Sequence, residues 1–104
     1  TDRVLLFALP DCAACDAILS RLLARLGRVA GVDVYLVGVA AGDEGEIRDW
    51  ATARGIQPEW VRTRRVTLNF DGGALERLAP GQSELPYLMR RRGESVTPLP
   101  RSAL

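Results

Sequence analysis

Two side chains in this sequence are suited to covalent chemistry, Cys12 and Cys15, and they stand three residues apart as Cys12-Ala13-Ala14-Cys15. All fourteen basic residues are Arg, with neither Lys nor His in the chain. Schiff-base chemistry is thereby excluded, and the commonest general base and metal ligand is missing. On a helix, residues three apart share one face with Cβ atoms ~5–6 Å apart, so a small adjustment brings two sulfurs within bonding geometry. Cys12 follows an apolar run and a Pro10-Asp11 break, which puts it at a helix N-terminus. Unbonded N–H groups and the positive dipole end there stabilise a thiolate, and the Cys-x-x-Cys setting takes a thiol from ~8.5 into a range of ~3.5–7.5. Cys15, one turn inward, suits a resolving thiol. Asp11 and Asp16 act against the thiolate, because a nearby carboxylate disfavours it.

Three blander readings compete with a redox-active dithiol. As a structural staple, the pair would close a four-residue loop worth only about 2 kcal/mol in chain entropy, a poor return beside a long-range crosslink. As half of a zinc site, it would need ligands that the chain does not supply as Cys or His. Two inert core cysteines are the third. Placement at the start of a helix favours the redox reading.

The elements that must hold this pair can be read from the pattern. Val4 to Leu9 is a continuous apolar run, as expected of a strand buried on both faces. From Cys12 the period changes: Cys15, Ile18, Leu19, Leu22, Leu23 and Leu26 recur at helical steps, predicting a helix that ends near Gly27. Val32 to Val39 reads as a second buried strand. Asp43 and Glu46 form a capping-box variant opening a helix to about Arg54, with Ile47, Trp50 and Ala51 inward and Gly55 as its stop. Gln57 to Trp60 is read as a connector, Val66 to Phe70 as an alternating strand, Asp71-Gly72-Gly73 as a turn, and Ala74 to Ala79 as one or two helical turns. Pro86 to Arg90 and Ser95 to Leu99 flank Arg92-Gly93-Glu94 as a terminal hairpin. The opening strand-helix-strand unit predicts a parallel pair, and the closing hairpin makes the sheet mixed. The expectation is one α/β domain over residues 1–104, with a central mixed sheet flanked by helices.

Composition agrees with a globular domain: 104 residues, 47% hydrophobic and 26% charged, net charge +1. That charge gives no general attraction to nucleic acid or anionic membrane. No apolar run is long enough to span a bilayer, and no segment reads as a signal peptide. The abrupt strand-like start is that expected of a mature or trimmed domain. Arg62, Arg64 and Arg65, with Arg90-Arg91-Arg92, could meet an acidic partner or nucleic acid. Without interleaved aromatics, a solvated face is the preferred reading. Trp50 is expected in the core; Trp60 is read as loop or core packing, with an exposed contact as its alternative.

A Cys-x-x-Cys motif opening a helix after a buried strand resembles the thioredoxin superfamily. Phe7 stands five positions before Cys12, as an aromatic does there, and Leu85-Pro86 before a strand is similar to the family's cis-proline loop. The resemblance implies a thioredoxin-like fold and no cofactor or metal. It also implies catalytic roles for Cys12 and Cys15, substrate contact at Leu85 and Pro86, and protein thiols or disulfides as partners. Departures from the pattern are Asp11 for the usual Trp, Leu6 for a buried acid, Ala13-Ala14 within the motif, and no evident terminal helix. More narrowly, Asp49-Trp50-Ala51, Gly55-Ile56, Pro58 and Val66 to Gly73 resemble a thioredoxin-like family of bacterial integrating conjugative elements. That resemblance implies a periplasmic location and partners in the conjugation apparatus, with the domain either managing disulfides or serving as a non-catalytic assembly module.

Overall fold

A computed structural model describes residues 2–104. The first strand, β1 (Arg3–Ala8), is apolar from Val4 onward, and all five of those residues are buried. It can bury both faces only at the centre of a sheet, and the strand order β3-β2-β1-β4-β5 puts it there. β2 (Gly31–Leu36) pairs with it in parallel and β4 (Tyr87–Arg92) antiparallel. β3 (Val66–Phe70) adds in parallel outside β2, and β5 (Ser95–Pro98) antiparallel outside β4. The expected central mixed sheet is present. Its closing hairpin turns on Gly93-Glu94, with Gly93 at φ 60° and Glu94 at negative φ, the glycine-first pattern that matches strand twist.

Alternation along β1 divides the core in two. Val4, Leu6 and Ala8 join the cluster formed with α1 (Ala13–Leu23) and α2 (Glu44–Ala53), through Ile18, Leu19, Leu22, Ile47 and Trp50. Leu5 and Phe7 face the opposite side, with Met89 and the short α4 (Ala74–Leu78). There Phe7 stacks on Tyr35 at 4.9 Å between ring centroids and tilts against Tyr87 at 6.5 Å, both register neighbours.

Several boundaries differ from expectation. The first helix ends at Leu23 rather than near Gly27; a 3-10 turn over Leu26–Arg28 continues the apolar spacing and keeps Leu26 buried. β1 stops at Ala8, leaving Leu9 exposed, and β2 stops at Leu36, before Gly38 at φ 84°. Gln57 to Trp60 is not a plain connector, since α3 (Pro58–Arg62) begins there with Pro58 in its first turn. Proline lacks an N–H that the first turn would leave unbonded and presets φ for the helix. Trp60 is half-buried against the core, so the packing reading holds. Asp43 caps α2 by accepting from the Glu46 N–H at 3.2 Å, but its own N–H goes to the Ala40 carbonyl, so only half of a capping box forms.

Away from α4, the second sheet face carries a polar ladder. Asp33 accepts from Arg3 Nη2 at 2.7 Å, from Arg3 Nε at 3.0 Å and from Thr67 Oγ1 at 2.7 Å, and Asn69 donates to Thr67. Gly31 makes room for this, since a Cβ there would meet the Arg3 guanidinium. Burial pushes the Asp33 carboxyl up, but the bonds from Arg3 and Thr67, with the charges of Arg3 and Arg91, outweigh it and hold the group below the usual carboxylate range. A carboxyl lowered on folding adds stability above its unfolded value of ~3.9, and that stability disappears as pH falls through the folded value. We therefore expect Asp33→Asn to lower urea stability at pH 7 by about 1–3 kcal/mol. The gap from wild type should narrow below about pH 4. An equal gap at pH 7 and pH 3 would refute the assignment.

Candidate functional site at the start of the first helix

The chain leaves β1 at Ala8 and re-enters regular structure at Ala13, with Leu9-Pro10-Asp11 at the end of the sheet. Cys12 is the N-cap of α1, with extended backbone at φ −152° and ψ 106°. Its Sγ takes the place usually held by a Ser or Asp oxygen and accepts the Cys15 N–H at 3.1 Å. The Cys12 carbonyl accepts from the Asp16 N–H at 3.0 Å, the first helical bond. Cys12 and Cys15 form a disulfide with Cα atoms 5.2 Å apart, a normal span. The two sulfurs are unequal: Cys15 is 1% exposed inside the α1–α2 core, whereas Cys12 is half-buried at its rim. Ala13 and Ala14 between them are exposed, so neither covers the bond.

Leu85 and Pro86 lie at the same end of the sheet. Tyr87 pairs with Phe7, so the residues before it sit beside the point where the chain departs toward Cys12. The Leu85–Pro86 peptide bond is cis. Leu85 and Cys12 both pack against the apolar cluster that contains Cys15. The Pro86 carbonyl accepts from Arg101 Nη2 at 3.0 Å. Among the described residues, the Leu85 N–H and carbonyl have no hydrogen-bond partner. One half-buried residue at the same end of the sheet as the cysteine pair thus keeps both backbone groups free.

Leu6, standing where the resemblance would put a buried acid, is fully buried in the same apolar cluster as Cys15. Two further side chains bear on the loop, neither of them evident as site residues in the sequence. Trp50, in the core as expected, also donates its indole N–H to the Pro10 carbonyl at 3.1 Å. Arg54 Nη2 donates to that same oxygen at 2.9 Å, and its Nε donates to Asp16 at 2.7 Å. No linear signal marks Arg54, which lies thirty-eight residues from Asp16. The sole hint is its place just before Gly55, at the end of an amphipathic helix. A separate groove of about 590 Å³ between α2, α3 and β3, lined by Ile47, Ala51, Ile56, Val61, Leu68 and Phe70 among others, contains neither cysteine. Among the described residues no cluster of three or more Cys, Asp or Glu is arranged to hold a metal ion. No helix there is long and apolar enough to cross a membrane.

No protein-family model matches the sequence, and a search of curated proteins returns no match. Among solved structures, the chain is similar to a secreted Mycobacterium tuberculosis disulfide oxidoreductase homologous to E. coli DsbE. The superposition has a TM-score of 0.59 at 18% identity and covers 95% of this chain and 69% of that one. At that identity the likeness speaks for architecture, and the architecture is a thioredoxin-like fold.

Proposed function

We propose that this domain exchanges thiols and disulfides with cysteines of other proteins, using Cys12 as the exchanging sulfur and Cys15 as the resolving one. One observation carries the reading: the Cys12 sulfur caps a helix at the rim of the core while its partner is sealed behind it. In the oxidised domain, a substrate thiolate attacks Cys12 Sγ and breaks the Cys12–Cys15 bond, and Cys15 leaves and takes up a proton. A second thiolate of the substrate then attacks the substrate sulfur bonded to Cys12, forming the substrate disulfide and releasing Cys12 as thiolate. The substrate gains a disulfide and the domain takes two electrons; run backward, the same steps reduce a substrate. Partner thiols supply the electrons and partner disulfides accept them, so the exchange proceeds without a cofactor. Leu85 supports the reading, because free backbone groups at the same end of the sheet as the cysteine pair suit an extended segment that adds like a strand.

Leu6 and the Ala13-Ala14 pair withhold both an acid that assists reduction and a polar donor that favours strong oxidation. We therefore place the reduction potential between ~−270 mV, as in thioredoxin, and ~−120 mV, as in the strongest oxidants of this fold. The narrower resemblance implies the location and partners of this reading, the periplasm and the proteins of a conjugation apparatus. The solved neighbour is itself a secreted protein. A non-catalytic assembly module is the second reading, favoured by the apolar Leu6 beside Cys15.

After reduction, alkylation against pH should show a fast and a slow thiol. Cys12→Ser is expected to abolish the fast phase and Cys15→Ser to keep it; equal rates in the two variants would sink the division of roles. Equilibration in glutathione buffers, read by mass after acid trapping, should place the pair in the intermediate range. Cys15→Ser should accumulate a mixed disulfide with glutathione. A pair that forms no disulfide at any ratio would leave the assembly reading standing.

A further inference from the structure

We propose that Arg54 is a positioning residue for the dithiol: its guanidinium ties together both ends of the Pro10–Asp16 segment and offsets the Asp16 carboxylate beside the cysteines. The inference rests on the exchange reading above and extends it to a residue from another element.

The backbone places Arg54 first. α2 ends in a two-bond cap, with the Ile56 N–H donating to the Ala51 carbonyl at 3.1 Å and the Gly55 N–H to Thr52 at 3.2 Å. Gly55 takes the left-handed conformation at φ 76° that this cap requires. Arg54 is thereby held as the C-cap residue, with its side chain 20% exposed.

Its donors are then spent mostly on the cysteine segment. Nε donates to Asp16 Oδ1 at 2.7 Å, and Nη2 reaches the Pro10 carbonyl at 2.9 Å and Asp16 Oδ2 at 3.4 Å. Nη1 donates to the Trp50 carbonyl at 3.2 Å, and the guanidinium lies 4.8 Å from the Trp50 ring centroid. A plain helix cap would need only the Trp50 carbonyl. The remaining bonds run to Pro10, two residues before Cys12, and to Asp16, next after Cys15. With the Trp50 indole N–H on the same Pro10 oxygen, two donors hold that carbonyl. Both ends of the reactive segment are therefore anchored to α2, and the planar fork of Arg suits such multiple bonding where a Lys ammonium does not.

The charge matters as well as the shape. Asp11 and Asp16 are the carboxylates of the segment itself, and α2 contributes Arg54. On the Pro86 side stand Glu84 and Arg101, the latter bonded to the Pro86 carbonyl. Of these groups, Arg54 and Asp16 form the ion pair at the motif. In the reduced domain this pairing lessens the repulsion between Asp16 and a Cys12 thiolate, so loss of the cation disfavours the reduced form.

The test compares wild type, Arg54→Gln, Arg54→Lys, Asp16→Asn and the Asp16→Asn/Arg54→Gln double variant. Thiolate absorbance of the reduced proteins is followed against pH, and the glutathione equilibrium is measured at pH 7.5. Arg54→Gln should move thiolate formation to higher pH and shift the equilibrium toward the disulfide by about threefold to tenfold. Asp16→Asn should move both the opposite way. Arg54→Lys should recover part of the thiolate titration, and the double variant should lie nearer wild type than Arg54→Gln. Wild-type titration and equilibrium in Arg54→Gln would overturn the proposal, as would a double variant displaced as far as Arg54→Gln alone. Should Arg54→Gln fail to fold, Arg54→Lys decides the matter: a smaller shift in the direction given for Arg54→Gln supports the proposal, and a wild-type titration and equilibrium overturn it. A wild type that never equilibrates with glutathione defeats the exchange reading instead, while the thiol titration still reports on Arg54.

Discussion

The architecture depends on β1 being apolar on both faces. A strand whose residues from Val4 to Ala8 are all buried is stable only with a strand on each side and a layer over each face. Those demands account for the parallel partner β2, the antiparallel partner β4, the α1–α2 layer on one face and α4 on the other. They also fix where the chemistry sits. Chain emerging from a central strand must leave at the end of the sheet, where Cys12 begins α1 and where Leu85 and Pro86 precede the strand paired to Phe7. The Cys12 loop and the Leu85-Pro86 loop lie at the same end of the sheet because one leaves β1 where the other enters its antiparallel neighbour β4.

The cysteine pair draws its asymmetry from that geometry. Helical spacing turns Cys15 toward Leu6 and the α1–α2 core, while the cap position leaves Cys12 at the rim. An N-terminal helix turn has N–H groups without helical partners, and here one of them, from Cys15, already points at the Cys12 sulfur. The arrangement is prepared for negative charge on Cys12 without any basic group inside the motif. Support comes from outside it, through the hold of Trp50 and Arg54 on Pro10 and Asp16. Such a tie is needed because Leu9 to Asp11 has no ladder of its own to hold its backbone.

The two sheet faces use different means to the same end. On the α1–α2 side, the buried side chains of the core cluster are hydrophobic. Beyond the reach of α4, the other face relies on Arg3, Asp33, Thr67 and Asn69 bonded across three strands. A buried carboxylate is tolerable there only because donors from two neighbouring strands meet it. The Tyr35–Phe7–Tyr87 row, nearer the cysteine end, covers what α4 alone is too short to shield.

Much of this was legible in the linear pattern, because the relevant physics is local. An unbroken apolar run, a change of period at Cys12, and glycines where the chain must turn are properties of neighbouring residues, and they yielded the strands, the helices and the placement of the dithiol. The α3 helix was missed although Pro58 marked it, because five residues are too few for a periodicity to show. The end of the first helix was overextended because Leu26 keeps helical spacing through a tighter turn. By contrast, Asp16 read alone was a charge set against the thiolate. Only the folded chain brings Arg54 to it, across thirty-eight residues, once a two-bond cap has set the end of α2. Likewise, Trp50 could be read as core from its spacing, but its bond to the Pro10 carbonyl could not. The sequence by itself determined which residues could react and which segments would be buried. Tertiary structure decided which charges face them, because spacing along the chain sets local conformation, whereas pairing across it depends on how finished elements pack.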